Sequence, residues 1–319
     1  MLTETLKKLT TKDGAQVAVW KVSNSTDIRL NTKASSPTQQ VAKSQNIFLT
    51  HGTFSDKRAC LRIASYLAQL GHDCYIMEWR GHGDSPKPAD KFNFETVATY
   101  DFAAVFRYLF DDLKLDNLHC VTHSGGGVCL TMFLIQNEQY IDKVNSMSLF
   151  ACQAYGAISD VKSYAKISAA NIFNRMLGYI PAKLLKLGPV NESYYMMAQW
   201  YDWNLNKNFN SSFTKKNNSK HYSHFDQTNS DERFDYRQAM PKITIPIYAI
   251  SAKGDTFISP TQGCKLFFDN FSHPSNVFYE FSKANGNLSD YTHSRILMSR
   301  DAAKEIWPTV AAWINKHTK

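Results

Sequence analysis

The sequence predicts an α/β fold, with a mostly parallel central sheet covered by helices on both faces and a helical insertion near the middle of the chain. Three observations carry this. Short apolar runs of strand length alternate with amphipathic helical stretches from Asn46 to Ala151. The alternation stops after Gln153 and resumes at Ile245. The chain has 319 residues, 43% of them hydrophobic, enough to bury a large core. Strands that alternate with helices pair in parallel through right-handed crossovers.

The elements follow in order. Asn46 to Thr50 reads as a strand. Arg58 to Leu70 repeats apolar residues at helical spacing and stops before Gly71, a good helix terminator. Cys74 to Met77 is the next strand. Phe94 to Phe110 is an amphipathic helix, followed by the strand Leu118 to Thr122. Gly125 to Gln136 reads as a helix and Val144 to Ala151 as a strand. From about Tyr155 to Met240 the pattern contains helical stretches and no strand. The second part has the strand Ile245 to Ser251, the helix Thr261 to Phe271, the strand Asn276 to Phe281 and the helix Arg300 to Asn315. The expected organisation is therefore a core of residues 1–153 and 241–319 with a helical insertion at 154–240. The Asn/Ser/Lys-rich piece Asn204 to Lys220 reads as a loop within the insertion.

Composition excludes several classes. Met1 to Val22 has no apolar core of a signal peptide, and no run of about 18 apolar residues suggests a membrane-spanning helix. A cytoplasmic protein is expected. The six cysteines sit mostly in apolar segments and form no CxxC pair, so they read as buried thiols rather than a disulfide frame or zinc site. The net charge of +8 is spread along the chain, with modest clusters at Lys183 to Lys186 and Lys215 to Lys220. This favours a solvated surface over a nucleic-acid interface. Weak peripheral attraction to an anionic membrane is compatible with it.

The segment Leu118-His-Cys-Val-Thr-His-Ser-Gly-Gly-Gly127 carries the chemistry. A buried strand runs directly into a helix, with Ser124 at the junction. Such a turn strains the backbone and needs small neighbours, supplied by Gly125 and Gly126. It also aims backbone N–H groups at the space beside the serine. The segment resembles the nucleophile turn of the α/β-hydrolase family, G-x-S-x-G, with Thr122 in place of the first glycine.

The resemblance extends along nearly the whole chain. Thr50-His-Gly-Thr-Phe54 is similar to the family's His-Gly loop. It implies an oxyanion hole made by the Thr53 and Gly125 N–H groups, with His51 structural. Trp79-Arg-Gly-His-Gly-Asp-Ser85 resembles the D-x-R-G-x-G-x-S loop, with Glu78 at the Asp position. Its expected roles are structural: glycines for the turn and Arg80 as an anchoring charge. His82 lies in this loop and is not expected to be the base.

A serine nucleophile needs a base, and the base an orienting acid. The family's order is Ser, then Asp or Glu, then His. Asp255 follows a late strand, with Gly254 allowing the turn. His293 lies after the last strand and before the last helix. Ser124, Asp255 and His293 are thus the expected triad. His273, His317, His221 and His224 occupy the wrong places, and His123 is expected to pack near the turn.

The insertion is rich in aromatic residues and Met at Ile172 to Ile180, Leu184 to Leu187 and Tyr194 to Trp203. Most of these read as helix core. Monoacylglycerol lipases, lysophospholipases and carboxylesterases of the family use such insertions as caps, which implies an apolar roof and a small-molecule acyl ester substrate. No metal or organic cofactor is implied. The same triad could cleave a thioester, an amide or a carbon–carbon bond. A non-catalytic ligand-binding scaffold would lack a triad member, and all three have candidates here.

Overall fold

The computed structural model describes residues 1–24, 44–214 and 233–318. Eight strands form one sheet: β1 (Leu2–Thr10), β2 (Gln16–Asn24), β3 (Asn46–Thr50), β4 (Asp73–Glu78), β5 (Leu118–His123), β6 (Val144–Phe150), β7 (Ile247–Ala252) and β8 (Val277–Phe281). Their order across the sheet is β1-β2-β4-β3-β5-β6-β7-β8. From β4 to β8 every pairing is parallel. The hairpin β1–β2 joins antiparallel at one edge. These two strands have no counterpart in the sequence reading. β1 is exposed on both faces, so it carries no alternation of apolar and polar residues.

Register places the site. Thr50 pairs with Met77 and Thr122, His123 with Phe150, and Ala252 with Phe281. The carboxyl ends of these strands therefore align, and the loops after β3, β5, β7 and β8 open along one edge, where ligands bind in open α/β sheets. Successive β3 side chains feed opposite faces. Ile47 and Leu49 join one buried cluster with helix Arg58–Gln69 and helix Arg300–Lys316, while Phe48 joins the other.

The helix expected at Phe94 to Phe110 is a helical run from Phe94 to Asp112 that widens to π-helix at Val97–Phe102 and Tyr108–Asp112. Asn93 caps its start through the Thr96 N–H. All six cysteines are buried and free. No helix among the described residues is long and apolar enough to cross a membrane.

Between Phe150 and Ile247 no described residue joins the main sheet. This segment holds helices Val161–Leu177 and Tyr194–Asn206. It also holds two small antiparallel sheets, Tyr179–Ile180 with Glu192–Ser193 and Asn210–Thr214 with Arg233–Asp235. The expectation of no strand is thus corrected: pieces of two to five residues are too short to show a period of two. Of the expected loop, Asn204 to Asn206 ends a helix and Asn210–Thr214 is a strand, while 215–220, including the Lys215 to Lys220 cluster, lies outside the described residues. Asn204 is fully buried, with its Nδ2 donating to Ala154 O at 2.8 Å and its Oδ1 accepting from Ala157 N at 2.7 Å. A second correction concerns Ile172 to Leu187. Most of its large apolar residues are exposed, not core; helix Val161–Leu177 buries only Ile167 and Asn174. Met196, Met197, Trp200, Tyr201 and Trp203 do enter the main core.

A buried carboxylate ties the insertion to the sheet domain. Glu95, fully buried, accepts from Ser211 Oγ (2.6 Å), Ser212 N (2.9 Å) and Tyr236 OH (2.5 Å). Hydrogen bonds to a charged group contribute about 1.5–3 kcal/mol each, and orphaning buried donors is costly. Glu95→Ala is expected to lose about 3 kcal/mol or more of unfolding free energy. It should also sensitise residues 154–240 to limited proteolysis before the rest of the chain. Denaturant titration and mass mapping of the cleavage sites check this.

Candidate active site

Ser124 caps helix Gly125–Gln136 with φ 53 and ψ −127, a left-handed conformation that L-residues avoid. Its N–H donates to Phe150 O at 2.8 Å, across from the end of β5. The turn fits only because small residues surround it. A Cβ on Gly126 would lie 2.6 Å from His51 O, and one on Gly52 would lie 2.7 Å from Ser124 Cβ. Thr122 is accommodated from the helix side. A Cβ on Gly127 would lie 2.4 Å from Cys152 Sγ and 3.0 Å from Thr122 Oγ1. The space that a glycine at position 122 would leave is provided instead by Gly127.

The structure brings the three expected residues together. His293 Nε2 is 2.9 Å from Ser124 Oγ, and His293 Nδ1 is 2.5 Å from Asp255 Oδ2. Asp255 also accepts from Ile258 N at 3.1 Å. Burial raises the Asp255 pKa. The His293 charge and hydrogen bond, with the Ser259 and Ile258 amides, outweigh this and hold the carboxyl below its ordinary value. Gly254 permits the approach of the two loops: its N–H donates to Tyr291 O at 2.8 Å, and a Cβ would lie 2.6 Å from Asp290 O. His123 packs beside His293 at 4.8 Å between ring centroids, and its Nε2 donates to His293 O at 2.9 Å. Burial, then the His293 charge, lowers the His123 pKa to about 3. It is therefore a neutral prop for the loop that carries His293.

The His-Gly loop is held in the same way. His51 Nδ1 donates to Gly52 O (2.7 Å), and its Nε2 accepts from Trp79 N (3.3 Å). Burial lowers its pKa to about 3. Phe54, directly after Thr53, has φ 64. Both its peptide groups are clasped by the insertion: Phe54 N donates to Glu192 Oε1 (3.1 Å) and Phe54 O accepts from Val190 N (3.1 Å). Glu192 Oε1 also accepts from His82 Nε2 at 2.7 Å. Arg80 lies between Asp13 and Asp101, both within 2.6 Å. Glu78 accepts from Lys57 N and Asp84 N.

Ser124, Gly125 and Thr53 line a cavity of about 160 Å³. Its walls are mainly apolar and come from Phe94 and Val128 below and from Ile180, Leu187, Met197 and Trp200 of the insertion above. Its polar lining includes Gln153, Ser259 and the pair Asn174–Tyr201, with Asn174 Nδ2 donating to Tyr201 OH at 2.7 Å. Among the described residues no group of His, Cys, Asp and Glu is arranged to hold a metal.

The family model for the α/β-hydrolase fold matches residues 45–283. The chain belongs to the α/β-hydrolase family. No curated relative matches it in sequence. Solved structures share its fold over nearly its whole length. An esterase from Exiguobacterium antarcticum superposes with a TM-score of 0.63 and 16% identity, covering 97% of this chain and 99% of that one. An esterase from Thermogutta terrifontis gives 0.58 and 14%, covering 99% and 100%. A bromoperoxidase from Bacillus anthracis gives 0.58 and 14%, covering 98% and 100%. At such identities the likeness is one of fold.

In this α/β hydrolase, Glu192 is the site residue that sequence reasoning missed. It lies in a two-residue strand far along the chain, with no motif around it. Two expected outcomes test the supports of the site. Gly127→Ala should cost about 1–3 kcal/mol by overpacking, more than the 0.5–1 kcal/mol that Ala gains over Gly in a helix. Adding Cys152→Ala should recover part of that loss in thermal melts. The second concerns the buried pair His82–Glu192. Burial lowers the His82 pKa, but the Glu192 charge and hydrogen bond raise it further, and the net direction is above the ordinary 6.5. The folded chain then binds this proton more tightly than the unfolded one. The resulting stabilisation is complete below about pH 6.5 and fades as pH rises through the folded value. The Tm difference between the wild type and His82→Asn should therefore shrink from pH 6 to alkaline pH.

Proposed function

We propose that the protein is a carboxylic ester hydrolase that acts through Ser124, His293 and Asp255. The observation that carries this is the continuous hydrogen-bonded chain from Ser124 Oγ through His293 to Asp255, opening on an apolar cavity. His293 Nε2 takes the Ser124 proton as Oγ attacks the ester carbonyl carbon. The Thr53 and Gly125 N–H groups hold the oxyanion of the tetrahedral intermediate. His293 then gives its proton to the leaving alkoxide, which departs as an alcohol. Water, deprotonated by His293, attacks the acyl-enzyme and releases the acid and free Ser124. Asp255, kept ionised by its surroundings, holds the imidazole in the tautomer that presents Nε2 to the serine and stabilises the imidazolium.

The apolar walls suit an acyl chain. Acyl-glycerols, lysophospholipids and other small apolar acyl esters are the substrate classes that such a chamber accommodates. Asn174 with Tyr201, Gln153 and Ser259 are polar groups of the lining available to the alcohol side or an ester oxygen.

Hydrolysis of p-nitrophenyl esters of graded acyl length is the test. Ser124→Ala is expected to lower kcat by about 10⁴–10⁶ and Asp255→Asn by about 10⁴. Met197→Trp should move the optimum to shorter acyl chains. Full activity in Ser124→Ala would overturn the assignment.

A further inference from the structure

The insertion presents an apolar surface outward. In helix Val161–Leu177 the inward face carries Ile167 and Asn174. The opposite face, at helical spacing, carries Val161, Ala165, Ile172 and Met176. Val161 is 84% exposed, Ile172 62% and Met176 82%. The turn that follows adds Leu184 at 80% exposed. Apolar side chains this open, grouped on one element, mark an interaction surface rather than scattered surface residues.

The charges around this surface are mostly of one sign; the one acid at its edge, the exposed N-cap Asp160, is bonded to Ser163 N. Lys162, Lys166, Arg175, Lys183 and Lys186 lie between positions 161 and 191, and that stretch contains no Asp or Glu. The first acid after it, Glu192, is buried and bonded to His82. An apolar stripe flanked by five cations and one capping acid, Asp160, matches the anionic surface of a lipid bilayer: the apolar residues enter the acyl boundary and the cations meet the headgroups. The surface is also continuous with the cavity. Leu185 (54% exposed) and Leu187 (45%) line both the outside and the chamber that contains Ser124. Ala170 and Asn174 of the helix line that chamber too, so helix and turn lie side by side at its mouth.

We propose that helix Val161–Leu177 and the turn at 182–187 dock the protein on anionic membranes, with the mouth of the cavity against the lipid. The docking needs only this surface, so it stands or falls separately from ester hydrolysis.

Co-sedimentation of the full chain with vesicles tests it, using phosphatidylcholine alone and phosphatidylcholine mixed with phosphatidylglycerol. Binding to the anionic vesicles should be at least about 10-fold stronger and should weaken with salt. Lys183→Glu with Lys186→Glu should lower it by about 10-fold or more, since each cation near such a surface contributes about 1 kcal/mol. The triple change Ile172→Ser, Met176→Ser, Leu184→Ser should also reduce binding about 10-fold or more. Unchanged circular dichroism and melting would show that these variants remain folded. Three results would each overturn the proposal: equal partition to neutral and anionic vesicles, partition to neither, or a wild-type dimer in light scattering that the triple change dissociates, which would make this face a contact between two copies of the chain.

Discussion

Ser124 is held at φ 53 and ψ −127, a conformation that costs an L-residue roughly 1–3 kcal/mol, and the middle of the molecule is shaped around holding it there. The strand β5 delivers it, the Phe150 carbonyl fixes its N–H, and Gly52, Gly126 and Gly127 leave room that no side chain could share. The strain places Oγ above the sheet edge, within 2.9 Å of His293. Parallel register does the rest, because it brings the ends of β3, β5, β7 and β8 to the same edge.

Around this turn the supports interlock. His123 holds the loop of His293, Gly254 lets the Asp255 loop lie against it, and His51 fixes the loop of Thr53. The insertion is part of that frame as well as a roof. Val190 and Glu192 clasp the strained Phe54 peptide beside Thr53, and Glu95 anchors Ser211 and Tyr236 from the other side. A disturbance of the insertion should therefore reach the site through the backbone, not only by opening the cavity to water.

Much of the core was legible in the sequence. Strong local signals mark β3 to β7, since each is a buried apolar run bounded by turn residues; β8, a partly buried edge strand, is marked by its aromatic and β-branched residues, and Gly125–Gln136 starts and stops at the expected residues. The grouping of Ser124, Asp255 and His293 could be anticipated because strand order fixes which loops meet beside Ser124. Thr122 was harder: its tolerance depends on Gly127 and Cys152, which meet it only in three dimensions. β1 is amphipathic to neither face, and the short strands of the insertion have no period to read. The exposed face of Val161–Leu177 was missed for a further reason. Helical spacing of apolar residues says that one face is apolar, but not whether that face looks inward or outward.

The central claim is that Ser124 is a nucleophile activated by His293 and Asp255. Labelling of the folded protein with a fluorophosphonate, read by peptide mass spectrometry, tests it most directly. The account predicts one adduct, on the peptide that contains Ser124, lost on unfolding and in His293→Ala. An unlabelled folded protein, or an adduct on a different serine, would contradict it.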